Sequence, residues 1–304
     1  MSKFGLALGG GGARGLAHIG VLKVLDTEKI KINSITGCSM GAIVGGLYAY
    51  FGNAKQVEDF ILQAINNPEF EKFSLYALNN NNIEPDKNYF EKFFDYIGSR
   101  LIAIKSLEST SYFDEDFTNR TFNFIPDAQI QNLKINFSAI TTDLISGEEI
   151  NLTKGSLRDV LRASSAIPGI FPPVKFDNYL LVDGSISESV PVSKVKEIGA
   201  DKVLAVDVTR QLKITGTPKN IFEILYRTED ITSYHLSLER LKEADLIIRP
   251  QVKNLTWADF NSVQDIIKKG EIATEEMIPE IKKMIFKDPF IQKIKNLIKP
   301  LAGK

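Results

Sequence analysis

The sequence is poor in the residues that most often advertise a chemistry: its 304 residues include one cysteine, one tryptophan and two histidines. A single cysteine, Cys38, excludes an intrachain disulfide and argues against a secreted, disulfide-stapled scaffold, so a cytoplasmic setting is expected. His, Cys and acidic residues at metal-ligand spacing are lacking, and neither a metal nor a cofactor is expected. There is no run of about 18 apolar residues, the length a membrane-spanning helix needs. The N-terminus lacks the charged, apolar and small-residue regions of a cleaved export signal. Any membrane contact is therefore expected to be peripheral, at the inner surface. An excess of one charge is missing too. With 37 basic against 38 acidic side chains the net charge is -1, which leaves no electrostatic footprint for nucleic acid. No period of 20 to 50 residues repeats, which excludes solenoids and propellers.

What is present is an alternation of short apolar runs and helical periods. Residues Phe4–Leu8 form a brief apolar run ended by four glycines, as a buried strand does. Leu16, Ile19, Val21, Leu22 and Leu25 then recur at helical spacing. A second strand is predicted over 32–37 and a second helix over Met40–Phe51, the opening of an α/β fold with parallel strands. Residues 57–107 read as a mostly helical insertion, interrupted by Asn79 to Asn82. Strands are predicted again at 135–141, Glu149–Leu152, 202–208 and 245–249. A helix is predicted near 157–163, and a hairpin of Val174–Phe176 and 179–182 turns at Asp177-Asn178. The end of the chain, 281–304, combines apolar residues with seven lysines and one aspartate. It reads either as an interfacial amphipathic helix drawn to anionic lipid or as a helix that closes the core.

Gly37-Cys38-Ser39-Met40-Gly41 lies where the second strand meets the second helix, the context that a G-x-S-x-G nucleophile elbow requires. Its glycines admit a sharp turn, and the helix start favours negative charge developing at Ser39. Cys38 is read as filler rather than as the nucleophile. The segment Gly9 to Gly15 follows the first strand and can converge several N–H groups on one anion. It lacks the Gly-Lys-Ser/Thr ending of a phosphate-binding P-loop. It matches G-x-G-x-x-G at Gly10, Gly12 and Gly15, but the second strand ends in the serine motif where a dinucleotide site needs an acidic residue. An oxyanion hole built from Gly10, Gly11, Gly12 and Arg14 is the preferred reading; a nicotinamide-dependent oxidoreductase and a plain turn remain as alternatives. A serine nucleophile needs a base. His18 reads as a half-buried structural residue, and a triad through His235 would place the nucleophile too early in the chain for an α/β-hydrolase. That leaves a carboxylate, and by residue pattern alone Asp183, Asp143 and Asp207 all stay open.

Taken together, Gly10-Gly11-Gly12-Ala13-Arg14-Gly15, Gly37 to Gly41 and Asp183-Gly184-Ser185 resemble the three motifs of the patatin-like phospholipase family. The third departs by a serine in place of Gly or Ala. Ala163-Ser164-Ser165-Ala166-Ile167-Pro168 and Phe171-Pro172-Pro173 look like the family's stretch before its aspartate, and the segment around Trp257 and Phe260 looks like its bacterial members. The resemblance implies a three-layer α/β sandwich with a mostly parallel central sheet. Residues 4–200 would be the catalytic domain and 201–304 an extension completing the sheet and adding helices. It implies Ser39 as nucleophile, Asp183 as base, no catalytic histidine, and Gly15, Gly37, Gly41 and Gly184 as structural support. The expected substrate is a lipid or lysolipid ester. A catalytically silent lipid-binding protein on the same scaffold stays open as the rival.

Overall fold

A computed structural model describes residues 2–68, 70, 109–209, 212, 216–218, 221–252 and 259–286. The chain runs through β1 (Phe4–Leu8), α1 (Ala17–Thr27), β2 (Ser34–Cys38), α2 (Met40–Phe51), α3 (Ala54–Ile65), α4 (Glu115–Phe122), β3 (Asn136–Asp143) and β4 (Glu149–Leu152). It continues through α5 (Leu157–Ser164), β5 (Val174–Phe176), β6 (Tyr179–Asp183), α6 (Val192–Glu197), β7 (Lys202–Val206), α7 (Ile221–Leu241), β8 (Leu246–Ile248), α8 (Val263–Glu275) and α9 (Ile278–Phe286). The strands form one sheet in the order β5-β6-β3-β2-β1-β7-β8, with β4 also paired to β3. β3, β2, β1, β7 and β8 run parallel, and β4, β5 and β6 add antiparallel pairings.

Side-chain alternation along the central strands explains the layering. In β1, Phe4, Leu6 and Leu8 enter the larger core with α1, α2, α3, α5 and α8, whereas Ala7 faces the smaller one. In β7, Leu204 and Val206 join the first core, and Val203 and Ala205 join the second, with Val192 and Val195 of α6 and Leu241 of α7. A strand buried on both faces must be apolar throughout, which is why these strands read as continuous apolar runs. Each fully buried Leu or Ile stabilises the fold by about 1.5–3 kcal/mol. The three-layer α/β arrangement with a mostly parallel sheet is thus the one expected from the sequence.

Element ends follow local chemistry. α2 has the predicted bounds and stops at Gly52, whose left-handed φ of 72° terminates it. Asn53 then caps α3 by accepting from the Gln56 N–H at 3.0 Å. α3 occupies the start of the predicted insertion, and α9 the start of the predicted tail. Residues 69 and 71–107 of the insertion and 287–304 of the tail, together with Trp257, lie outside the described residues. Helix α7 has no bounds predicted from the sequence, and it borders the site.

Candidate active site

Ser39 is the single residue between β2 and α2. Its backbone adopts φ 52°, ψ -122°, a conformation that costs a non-glycine residue about 1–3 kcal/mol. The turn is possible because Gly37 and Gly41, two residues to either side, carry no side chain. A Cβ on Gly41 would lie 2.2 Å from the Leu8 carbonyl oxygen, and one on Gly37 would lie 2.4 Å from that of Gly41. The strained residue is held from both sides. Its N–H donates to Ser164 Oγ at 3.1 Å, and its carbonyl accepts from Ala42 and Ile43 N–H at 2.9 and 3.0 Å. Ser164 in turn donates its hydroxyl to the Ile140 carbonyl at 2.7 Å. Ser164 belongs to the Ala163 to Pro168 block, and nothing in the sequence assigned it this part.

Sheet register brings the second group to the serine. On β3, Ile140 pairs with Cys38 and the next residue, Thr141, pairs with Asp183. β4 pairs with Ala139 to Thr142 and overlaps both registers, so it occupies the opposite edge of β3. β2 and β6 therefore meet head-on along one edge, and the chain leaving β2 enters Ser39 beside the last residue of β6. Asp183 is only 1% exposed. Its Oδ1 accepts from the Ser185 N–H at 2.9 Å and faces the Cys38 thiol at 3.7 Å, and it lines the same cavity as Ser39. Burial pushes the Asp183 pKa above the ordinary 3.8, and polar interactions with Ser39, Ser185 and Cys38 oppose that rise. The result is a carboxylate with raised basicity in the cavity that Ser39 also lines. Gly184 packs its backbone over the Ile140 carbonyl, where a Cβ would come within 2.4 Å.

The glycine segment lies across the same cleft. Gly10, Gly11, Gly12, Arg14, Ser39 and Asp183 all line a cavity of about 220 Å³. The Gly10 N–H, however, is committed to the Ser189 carbonyl at 2.9 Å. This corrects the expectation of Gly10 as an oxyanion donor: it ties the glycine turn to the loop that follows Asp183. Gly11 and Gly12 line the same cavity as Ser39. Arg14 Nε donates to the Gly11 carbonyl at 3.2 Å, which sets the orientation of that peptide. Gly15 lies behind the turn, where a Cβ would approach Met40 to 2.6 Å.

The other candidates separate cleanly. His18 is fully buried rather than half-buried, and its Nε2 lies 2.7 Å from the Gly9 carbonyl. Burial drives its pKa down to about 4 against the pull of that hydrogen bond, so the neutral ring donates to Gly9 and steadies the glycine turn. His235 is exposed on α7 and does not line the cavity. Burial pushes the Cys38 thiol well up, so it is protonated and unreactive. Asp143 is a turn residue. Burial raises its pKa, but donors from Leu180 N–H and from the Ser146 N–H and hydroxyl outweigh that and hold it at about 2. Asp207 pairs with Arg249 at 2.9 Å and caps Thr209. The cavity wall missing from the sequence reading is α7, which contributes Asp230, Ser233, Tyr234 and Ser237 at i, i+3, i+4 and i+7.

A second buried carboxyl lies on the loop after Asp183. Glu188 is enclosed, and neither of its oxygens makes a hydrogen bond of good geometry. Burial, then the charge of Glu149, raises its pKa from 4.5 to about 8, with Arg240 and Lys194 opposing. An acid whose pKa is higher in the folded than in the unfolded chain stabilises fully below its unfolded value, and that stabilisation is lost as pH rises through the folded value. Wild-type stability should therefore fall between about pH 4.5 and 8 from this group. Glu188→Gln, which keeps the shape without the ionisation, should melt several degrees higher than wild type at pH 8 and close to wild type at pH 5. A melting-temperature difference that stays constant across that range in thermal melts would refute this assignment.

Comparison with known proteins agrees with the geometry. Residues 6–195 match the family model described as patatin-like phospholipase. The chain is 25% identical to lysophospholipase NTE1 of Kluyveromyces lactis, an alignment covering 98% of this chain and 20% of that one. It is 29% identical to a patatin-like phospholipase domain-containing protein of Caenorhabditis elegans, over 90% of this chain and 21% of that one. The chain thus spans about a fifth of the length of these relatives. Among solved structures, VipD from Legionella pneumophila superposes with a TM-score of 0.50 at 14% identity, covering 92% of this chain and 67% of that one, a likeness of fold. The serine elbow, the glycine turn, the buried aspartate and the family match coincide on one cleft: the chain belongs to the patatin-like phospholipase family.

Proposed function

We propose that this protein hydrolyses acyl ester bonds of lipids or lysolipids, with Ser39 as nucleophile and Asp183 as its only base. As Ser39 Oγ attacks the ester carbonyl carbon, its proton passes to the Asp183 carboxylate and the carbonyl oxygen becomes an oxyanion. Gly11 and Gly12 N–H groups, with the start of α2 behind Ser39, stabilise that charge. Collapse expels the alcohol, which takes the proton from Asp183, and the acyl group stays on Ser39. A water then gives its proton to Asp183 and attacks the acyl-enzyme, releasing a fatty acid and restoring the serine. The observation that carries this reading is the convergence of the strained Ser39 and the buried Asp183 carboxylate, whose pKa is raised by burial, on one cavity beside the glycine turn. Residues 4–200 are the proposed catalytic unit. It takes β7, β8 and the α7 wall of the cavity from the extension 201–304. The proposed place of work is a lipid surface approached from the cytoplasm.

The test is covalent. Wild-type protein exposed to a lipid-like fluorophosphonate should gain the mass of one adduct, and Ser39→Ala should gain none. An unlabelled wild type, under conditions that label another serine hydrolase, would favour a silent lipid-binding protein instead.

A further inference from the structure

The α7 helix has two functional faces, and only one belongs to the site above. Asp230, Ser233, Tyr234 and Ser237 turn toward the cavity. On the outer face, Ile224 is 52%, Leu225 57% and Ile231 37% exposed. The remaining exposed side chains described between Ile224 and His235 are Thr228, Thr232 and His235, so no Asp, Glu, Lys or Arg lies among them. The two threonines are less polar than their type suggests. Thr228 donates its hydroxyl to the Leu225 carbonyl at 2.7 Å, and Thr232 donates to the Thr228 carbonyl at 3.0 Å. Their hydroxyls are satisfied within the helix, which leaves methyl groups to add to the apolar face. Across the cavity, Ile186, three residues after Asp183, both lines the cavity and is 42% exposed.

We propose that the outer face of α7, with Ile186, is a lipid-surface docking rim that seats the cavity mouth on the membrane or micelle supplying the substrate. The inference rests on the lipid-hydrolase reading. Three observations choose this occupant over a second copy of the chain. Ile186 lines the cavity that the lipid must enter, and the exposed apolar side chains of α7 lie on the helix that forms its wall. A few aliphatic side chains on three helical turns fall far short of the roughly 800 Å² per partner that a stable protein interface buries, but insertion into a lipid interface needs no more than that. Among the described residues the exposed side chains of this face include no Lys or Arg, so its attraction is apolar and not electrostatic. It therefore fits zwitterionic as well as anionic lipid and should resist salt.

The experiment uses the full chain, wild type and the double variant Ile224→Glu/Ile231→Glu, with phosphatidylcholine vesicles at 0.1 and 0.5 M salt. Both positions point away from the cavity, so hydrolysis of a soluble short-chain ester should be unchanged, which also shows that the variant is folded. Co-flotation of wild type with the vesicles should be similar at both salt concentrations and fall about ten-fold or more in the variant. Equal flotation of the two proteins, or a wild type that does not float, overturns the docking rim. So does a wild type that dimerises in solution while the variant does not, without any change in flotation. Flotation is read without turnover: a wild type that floats but hydrolyses neither the soluble ester nor the vesicle lipid refutes the hydrolase reading and leaves the rim standing.

Discussion

Ser39→Ala is expected to reduce ester hydrolysis by about 10³-fold or more, because in the proposed mechanism Ser39 Oγ is the atom to which the acyl group is transferred. Asp183→Asn should produce a loss of similar size by a different route. The amide keeps the size of the carboxylate and can still accept from the Ser185 N–H, but it cannot take the serine proton. Neither described histidine replaces it: His18 is fixed on the Gly9 carbonyl, and His235 is exposed outside the cavity. A variant retaining more than about a tenth of wild-type turnover would sink the two-residue mechanism. The pH dependence has a definite sign. Asp183 must be ionised to act, so activity should drop as pH falls through its folded pKa, which lies above the ordinary 3.8 because of burial. The same shift makes Asp183 a burden on stability at neutral pH, since the unfolded chain ionises it more readily. Asp183→Asn should therefore be inactive and yet melt at or above the wild-type temperature at pH 7. Losing both activity and stability together would point to a structural role instead.

Gly41→Ala should be the most damaging single methyl in the protein's elbow. The added carbon would sit 2.2 Å from the Leu8 carbonyl oxygen, 2.6 Å from the Leu8 carbonyl carbon and 2.7 Å from the Gly9 carbonyl oxygen, all backbone atoms that cannot rotate away. Relief requires α2 to lift from β1, which breaks close packing at the centre of the larger core. The expected cost is on the order of 3 kcal/mol or more, a fall in melting temperature of roughly 10 °C. Activity should fall as well in whatever protein remains folded, because Ser39 and the Gly9 to Gly12 turn move apart together. Gly216→Ala is the control: no atom lies within 4 Å of the added carbon, and φ there is not in the left-handed region. If Gly41→Ala melts like Gly216→Ala, the close approach of β1 and α2 does not constrain the elbow.

The amino-acid sequence by itself determined the order of elements and the residue types of the chemistry. Short apolar runs, the glycines at 9 to 12 and the helical period after Leu16 placed β1, α1, β2 and α2, and the bounds of α2 were read without error. Local information was sufficient there, because a strand buried on both faces must be apolar and a turn with no room for Cβ must be glycine. Asp183 was different. As an Asp-Gly at the end of a short strand it could not be told from Asp143 or Asp207 by pattern, and it stood out through the family resemblance. Only the tertiary structure separated the three. Two strands from distant parts of the chain meet on one edge of β3, so that Asp183 is buried against Ser39, while Asp143 serves a turn and Asp207 an arginine. The commitment of the Gly10 N–H to Ser189, the support of Ser39 by Ser164, the full burial of His18 and Glu188 and the α7 wall were likewise invisible along the chain. Each depends on which partner lies across a contact of long sequence separation, and burial and hydrogen-bond partnership are properties of that neighbourhood, which a residue's own letter does not carry.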